Sequence, residues 1–158
     1  PMAGWKVLTD LLKPGGLIKI GLYSELARQH IVEVRKEITL LKVGTSESEI
    51  REFRQSLVES NEEHHQLLTT MVDFFSLSML RDLTFHVQEH RFTLPKIQDC
   101  LSELGLKFCG FENKDIVSQF NRFHNKGSDN CDLALWHQFE KSNYKTFDNM
   151  YQFWCQKL

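Results

Sequence analysis

The stretch Asp10-Leu-Leu-Lys-Pro-Gly-Gly-Leu-Ile-Lys-Ile-Gly-Leu-Tyr-Ser24 decides the fold class. An apolar-periodic segment, Gly4 to Leu12, runs into Lys13-Pro14-Gly15-Gly16. Pro14 disfavours helical backbone at Lys13, so the incoming helix stops there. The two glycines supply the positive φ that a tight reversal needs. Leu17, Ile18, Ile20 and Leu22 then make a short apolar run, the pattern of a strand buried on both faces. Helix, tight turn and buried strand are a piece of an α/β sheet. The next helix is expected to begin at Ser24, whose hydroxyl suits a cap before Glu25-Leu-Ala-Arg28.

Outward from this stretch the pattern is mostly helical. Trp5, Leu8, Leu11 and Leu12 share one face and predict an amphipathic helix leaning on the sheet. Leu26, Ile31, Val34, Ile38 and Leu41 recur at helical spacing to about Lys42, and Gly44 suits a C-terminal cap. Ser46-Glu-Ser-Glu49 is a capping-box pattern that opens a helix through Ser60, with Ile50, Phe53 and Leu57 as its stripe. Glu62 to Thr70 is weakly periodic, a helix or a mobile connection, and Phe74 to Leu80 is apolar again. Thr93 and Pro95 start a helix with Ile97, Leu101 and Leu104 inward, closed by Gly105. Leu106, Phe108 and Cys109-Gly-Phe111 predict a second strand. Ile116, Val117, Phe120 and Phe123 predict a helix over 115–124, and a turn follows at Gly127-Ser-Asp-Asn130. Leu133, Trp136 and Phe139 line one more helix. Tyr151, Phe153 and Cys155 alternate with Gln152, Trp154 and Gln156, the mark of a closing strand.

With 158 residues, 41% of them hydrophobic, one domain with a real core is expected. A formal net charge of -2 and the lack of a basic stripe speak against nucleic acid as a partner. Arg28, Arg35, Lys36 and Lys42 read as a wet helix face rather than a phosphate track. No run of about 18 apolar residues exists, so no membrane span is expected. The four cysteines are scattered, without a C-x-x-C pair, and read as free thiols in a reducing cytoplasm. Twelve Phe and three Trp favour a packed core with a lined pocket over a disordered tail.

Leu12-Lys-Pro-Gly-Gly-Leu-Ile-Lys-Ile-Gly-Leu-Tyr-Ser24 resembles the passage into the fifth strand of class I S-adenosylmethionine-dependent methyltransferases. Phe92 to Phe111 is similar to their last helix and sixth strand, and Met150-Tyr-Gln-Phe-Trp-Cys-Gln-Lys157 to their seventh strand. Arg81-Asp-Leu-Thr-Phe-His-Val-Gln-Glu-His-Arg-Phe-Thr93, with Met150-Tyr-Gln-Phe-Trp154, resembles the C-terminal part of bacterial methyltransferases that follow tetratricopeptide repeats. The resemblance covers nearly the whole chain but only the second half of that fold. It implies an α/β, helix-rich architecture with a partial Rossmann-like methyltransferase sheet of three strands, roughly 17–23, 106–112 and 150–156. The last strand would run antiparallel between the other two. On this reading residues 1–23 are helix and strand of the methyltransferase fold, 24–80 a helical insertion, and 81–158 the C-terminal part of the fold.

The cofactor elements of that family are not legible. No Gly-rich turn follows a strand, since Gly15-Gly16 precedes its strand, and no acidic residue stands where the ribose contact belongs. The chain reads as a fragment that begins inside a helix. S-adenosylmethionine would be held by the full-length protein, with no cofactor-binding residue here, and this chain alone would be inactive. Upstream repeats would imply a protein or peptide substrate. The unpaired apolar edge of the 17–23 strand, or the insertion helices, would support a homo-oligomer.

The densest polar cluster is Arg81, Asp82, His86, Gln88, Glu89 and His90. The resemblance puts the substrate near the loop after the fifth strand, which makes Tyr23, Ser24, Glu25, Arg81 and Asp82 candidate substrate contacts. His86 or His90 is suited to take a proton, because imidazole titrates near neutrality, and Glu89 to hold that imidazole or a cationic group. The alternative is that Arg81 and Asp82 form a structural ion pair and the histidines are solvated. His86-Val-Gln-Glu89-His90 also spells the inverted zinc-peptidase motif, so a zinc-dependent hydrolase through His86, Glu89 and His90 is a further alternative. That chemistry needs both histidines on one helical face, whereas the flanking residues favour an extended link, so no metal ligand is expected. His64-His65 reads as solvent-facing. A non-catalytic interaction or dimerisation module is the rival from a different class.

Overall fold

The computed structural model of the chain describes residues 2–86, 88–124 and 127–158. Val87, the first variable position of the inverted zinc motif, lies outside the described residues. The protein is α/β and helix-rich, and it divides into two compact units, Pro1–Ala27 with His90–Leu158, and Arg28–Glu89. The boundary read at residue 80 falls inside a helix, Leu77–Phe85, that belongs entirely to the second unit.

In the first unit, α1 (Met2–Leu11) ends at the Pro-Gly-Gly turn as expected. Gly15 takes φ 78°, and Gly16 N donates to Lys13 O at 2.8 Å, an approach so close that a Cβ on Gly16 would collide with that carbonyl. β1 (Leu17–Ser24) leaves this turn directly. β2 (Arg91–Phe92), α6 (Leu94–Glu103), β3 (Leu106–Phe111), α7 (Lys114–Phe123), α8 (Leu133–Ser142) and β4 (Tyr151–Lys157) complete the unit.

The sheet order is β2-β1-β4-β3. β4 runs antiparallel to both neighbours, with Ile20 opposite Phe153 and Phe108 opposite Cys155, so β1 and β3 are mutually parallel. The expected position of the closing strand is therefore observed. The expected count of three is corrected to four, because Arg91–Phe92 pairs in parallel with Tyr23 and Ser24. Two residues between loop and helix carry no strand periodicity, which is why the sequence does not announce them.

Two burial expectations fail in this unit. β1 is inward on one face only, with Ile20 and Ser24 buried, while Lys19 pairs with Glu112 and Leu17 is 57% exposed. In α1, Trp5 and Thr9 face the core, whereas Leu8 and Leu11 are exposed. Trp5 reaches Phe92 (5.9 Å between centroids), and Lys157 Nζ donates to the carbonyls of Thr9 and Leu12, which sets the helix rotation. Elsewhere the periodicities hold. Leu133, Trp136 and Phe139 are buried, Trp136 stacks on Phe120 at 3.9 Å, and Tyr151, Phe153 and Cys155 fill the inner face of β4.

The second unit has its own core of Ile31, Val34, Ile38, Ile50, Phe53, Leu57, Leu68, Phe74, Leu80 and Leu83. Its helices are α2 (Gln29–Leu41), α3 (Glu47–Glu59), α4 (Glu63–Thr69) and α5 (Leu77–Phe85), with a 3-10 turn at Val72–Phe75. The capping box of Ser46 and Glu49 forms as read. The start of α2 does not, since β1 extends through Ser24 and the helix begins only at Gln29. Nor does Gly44 cap α2. Lys42 takes φ 54° and donates to Ile38 O and Thr39 O.

Candidate functional site

In an open α/β sheet, ligands bind outside the carboxyl ends of the parallel strands. Here those ends belong to β1 at Ser24 and β3 at Phe111, with the amino end of β4 at Tyr151 between them. Ser24, Glu140 in the last turn of α8, and Tyr151 are all fully buried at this end. Ser24 Oγ accepts from Ala27 N at 3.0 Å and donates to Glu140 Oε1 at 2.6 Å. Tyr151 OH donates to the same carboxylate at 2.7 and 2.8 Å.

Burial pushes the Glu140 carboxyl above its usual range, and the two hydroxyl donors oppose that only in part. Burial and the adjacent carboxylate likewise drive the Tyr151 phenol upward. The network pins the end of β1 to α8 and β4 through one buried carboxyl that accepts from both hydroxyls. Ser24, predicted to contact substrate, is turned into this network instead. Tyr23, half-buried, and Glu25, exposed, lie on either side of it in the chain.

Beside this end lies an open cleft of about 260 Å³, lined among others by Asn113, Asp115, Gln119, Asp148, Asn149 and Gln152. Asn113 Oδ1 caps α7 by accepting from Asp115 N and Ile116 N, which fixes one wall. None of these residues was singled out in the sequence. The available signal was the Asn/Asp-rich text immediately after β3 and before β4.

The predicted cluster of residues 81–90 is distributed otherwise. Arg81 and Asp82 are exposed on α5, which ends at Phe85. His86 is exposed beyond that end, its Nδ1 accepting from Gln88 N at 3.2 Å. The residues from His86 to His90 that are described are not helical, so His86 and His90 are not the helical i, i+4 pair of a zinc peptidase. His90 is exposed and directly precedes β2 in the first unit.

Glu89 ends the second unit and is committed within it. Arg28 Nε and a terminal nitrogen donate to its two oxygens at 3.0 and 2.7 Å, and Arg35 donates to Oε2 at 3.0 Å. Burial pulls this carboxyl up, yet the hydrogen bond and charge of Arg28 and the charge of Arg35 outweigh it, leaving the pKa below the ordinary value. Arg35 also clasps Leu83 O at the end of α5. Two arginines read as a solvated helix face are thus buried or nearly so.

Among the described residues, Glu37, His64 and His65 bring three metal-capable side chains within 4.8 Å of one another. The pair read as solvent-facing is partly buried. No protein-family model and no curated protein matches the chain. No described helix is long and apolar enough to cross a membrane.

Proposed function

We propose that this chain is the C-terminal, substrate-side portion of a cytoplasmic S-adenosylmethionine-dependent methyltransferase whose cofactor-binding half lies outside this sequence. The observation that carries the reading is β4 set antiparallel between the parallel strands β1 and β3, with β1 entered through a helix–Pro-Gly-Gly passage. That is the arrangement expected where a Rossmann-like methyltransferase sheet closes. The free thiols of Cys100, Cys109, Cys131 and Cys155 fit a reducing compartment.

The described residues do not suit the cofactor itself. Gly15-Gly16 enters β1 instead of leaving it, and β3 runs on into Glu112-Asn113-Lys114 without a glycine. This portion therefore shapes the acceptor side. Tyr23 and Glu25 flank the end of β1 for substrate contact, and the Ser24–Glu140–Tyr151 network holds that end still. His90 directly precedes the strand that pairs with Tyr23 and Ser24, and is the candidate proton acceptor for an attacking nucleophile. The resemblance to tetratricopeptide-associated methyltransferases would, with such repeats upstream, point to a protein or peptide acceptor.

The test is a labelled-methyl transfer assay on the longer gene product, paired with calorimetry on this chain. The longer protein should bind S-adenosylmethionine and transfer its methyl group, while the 158-residue chain should bind none. Saturable binding by this chain alone, or a longer protein that binds none, overturns the reading.

One observation favours the second reading, an interaction module. β2 covers only Tyr23 and Ser24 of β1, and no strand pairs with Leu17–Leu22 on that side among the described residues. An apolar edge of this kind templates pairing. The expected result in sedimentation at micromolar concentration is a homodimer that Leu17→Lys dissociates. A monomer with slowly exchanging β1 amides counts against this reading.

A further inference from the structure

We infer that Glu37, His64 and His65 form a binding site for a divalent first-row transition metal, zinc foremost, tying α2 to α4 in the second unit. His64 Nε2 lies 2.6 Å from one oxygen of Glu37, and His65 Nε2 lies 2.6 Å from the other. The two rings stand 4.2 Å apart between centroids and are tilted by 56°, so neighbouring imidazoles on a short helix converge on one carboxylate. Two imidazole nitrogens with one carboxylate oxygen are a donor set suited to zinc, nickel, copper or cobalt, and too nitrogen-rich for calcium or magnesium. Three protein ligands leave a fourth position for water.

The surroundings of His65 suit ligation. Its Nδ1 lies 2.7 Å from Ser60 Oγ, which in turn accepts from Glu62 N at 3.1 Å. The serine hydroxyl donates to Nδ1 when Nε2–H faces Glu37, and accepts from Nδ1–H when Nε2 offers its lone pair to a metal. Either tautomer is therefore held, and the outer hydrogen bond orients the ring as it does in established sites. The His65 side chain is only 12% exposed, which limits competition from bulk water.

With metal bonds of about 2.0–2.1 Å, tetrahedral ligand atoms stand about 3.3 Å apart. One ligand atom from each of the three residues already lies within 4.8 Å of the other two, so side-chain rotation of Glu37 and the two imidazoles is what admits the ion. The inference is independent of methyl transfer, because every residue it uses lies within Arg28–Glu89.

The test titrates zinc into the metal-stripped 158-residue chain against a chromophoric chelator, and repeats the titration with cobalt. One ion per chain is expected, with a rise in melting temperature. Cobalt should give a ligand-field spectrum without a thiolate charge-transfer band. His64→Ala and His65→Ala should each weaken binding by about tenfold or more, whereas Cys109→Ser with Cys131→Ser should leave it unchanged. Glu37→Gln keeps an acceptor for one imidazole while removing the charge, so it reports if a histidine variant fails to fold, and it too should lose about tenfold or more. Absence of saturable binding, a thiolate band, or affinity unchanged in Glu37→Gln overturns the inference.

Discussion

Glu89→Ala is expected to lower the stability of the Arg28–Glu89 unit by about 3–5 kcal/mol, because it removes the buried carboxylate that Arg28 and Arg35 both hold. The Arg28 and Glu89 side chains are 5% and 6% exposed, and their contact is bidentate. They are also the first and last residues of the unit, so the pair closes its two ends. Arg35 adds a second bond to Glu89 and holds the end of α5 through Leu83 O, which couples the loss to two helices. Hydrogen exchange should locate the damage, with amides of α2 and α5 losing protection while those of β1 and β4 keep theirs.

The pH dependence follows from the lowered Glu89 pKa. A depressed carboxyl contributes stability above its unfolded value, near 4.5, and loses it as pH falls through the folded pKa. The wild-type chain should therefore approach Glu89→Ala in stability under acid. A Glu89→Ala variant that melts like wild type would contradict this structural role.

Glu140→Ala should cost about 2–5 kcal/mol in the first unit, since it strands the buried hydroxyls of Ser24 and Tyr151 and opens a cavity. Glu140→Gln should behave differently, because the amide oxygen still accepts from both hydroxyls while the charge is gone. Burial raises the Glu140 pKa, so its contribution is fully present below the unfolded value near 4.5 and is lost as pH rises through the folded one. The glutamine variant should accordingly gain on wild type as pH increases, and urea unfolding between pH 4 and 8, roughly the range in which folded carboxyls and histidines titrate, reads this directly. A difference between the two proteins that stays flat with pH would mean that the carboxyl is not held as described. Glu140 works opposite to Glu37 and Glu89, whose contributions fade in acid.

Much of the architecture was legible because its signals are local. The Pro14-Gly15-Gly16 turn, the Ser46–Glu49 capping box and the Thr93 cap each act within a few residues, and each forms as read. The faces Ile50-Phe53-Leu57 and Leu133-Trp136-Phe139 are buried because a helix repeats them on one side. The misreadings share one cause as well. Ser24 keeps the local bond of a cap, accepting from Ala27 N, but the acceptor of its own hydroxyl is a glutamate 116 residues away. Arg28 and Arg35 resemble solvated cations until Glu89, 61 and 54 residues away, arrives beside them.

The sequence by itself determined the α/β class, the places where most helices and the three longer strands lie, and the alternation that seats β4. These rest on backbone preferences and on a period of 2 or 3.6, which neighbouring residues carry without outside help. Only the tertiary structure decided which polar residues meet: Ser24 with Glu140 and Tyr151, Arg28 and Arg35 with Glu89, and Glu37 with His64 and His65. A charged or hydroxyl side chain has no period that names its partner. Its state is set by burial and by whatever the folded chain brings within about 3 Å.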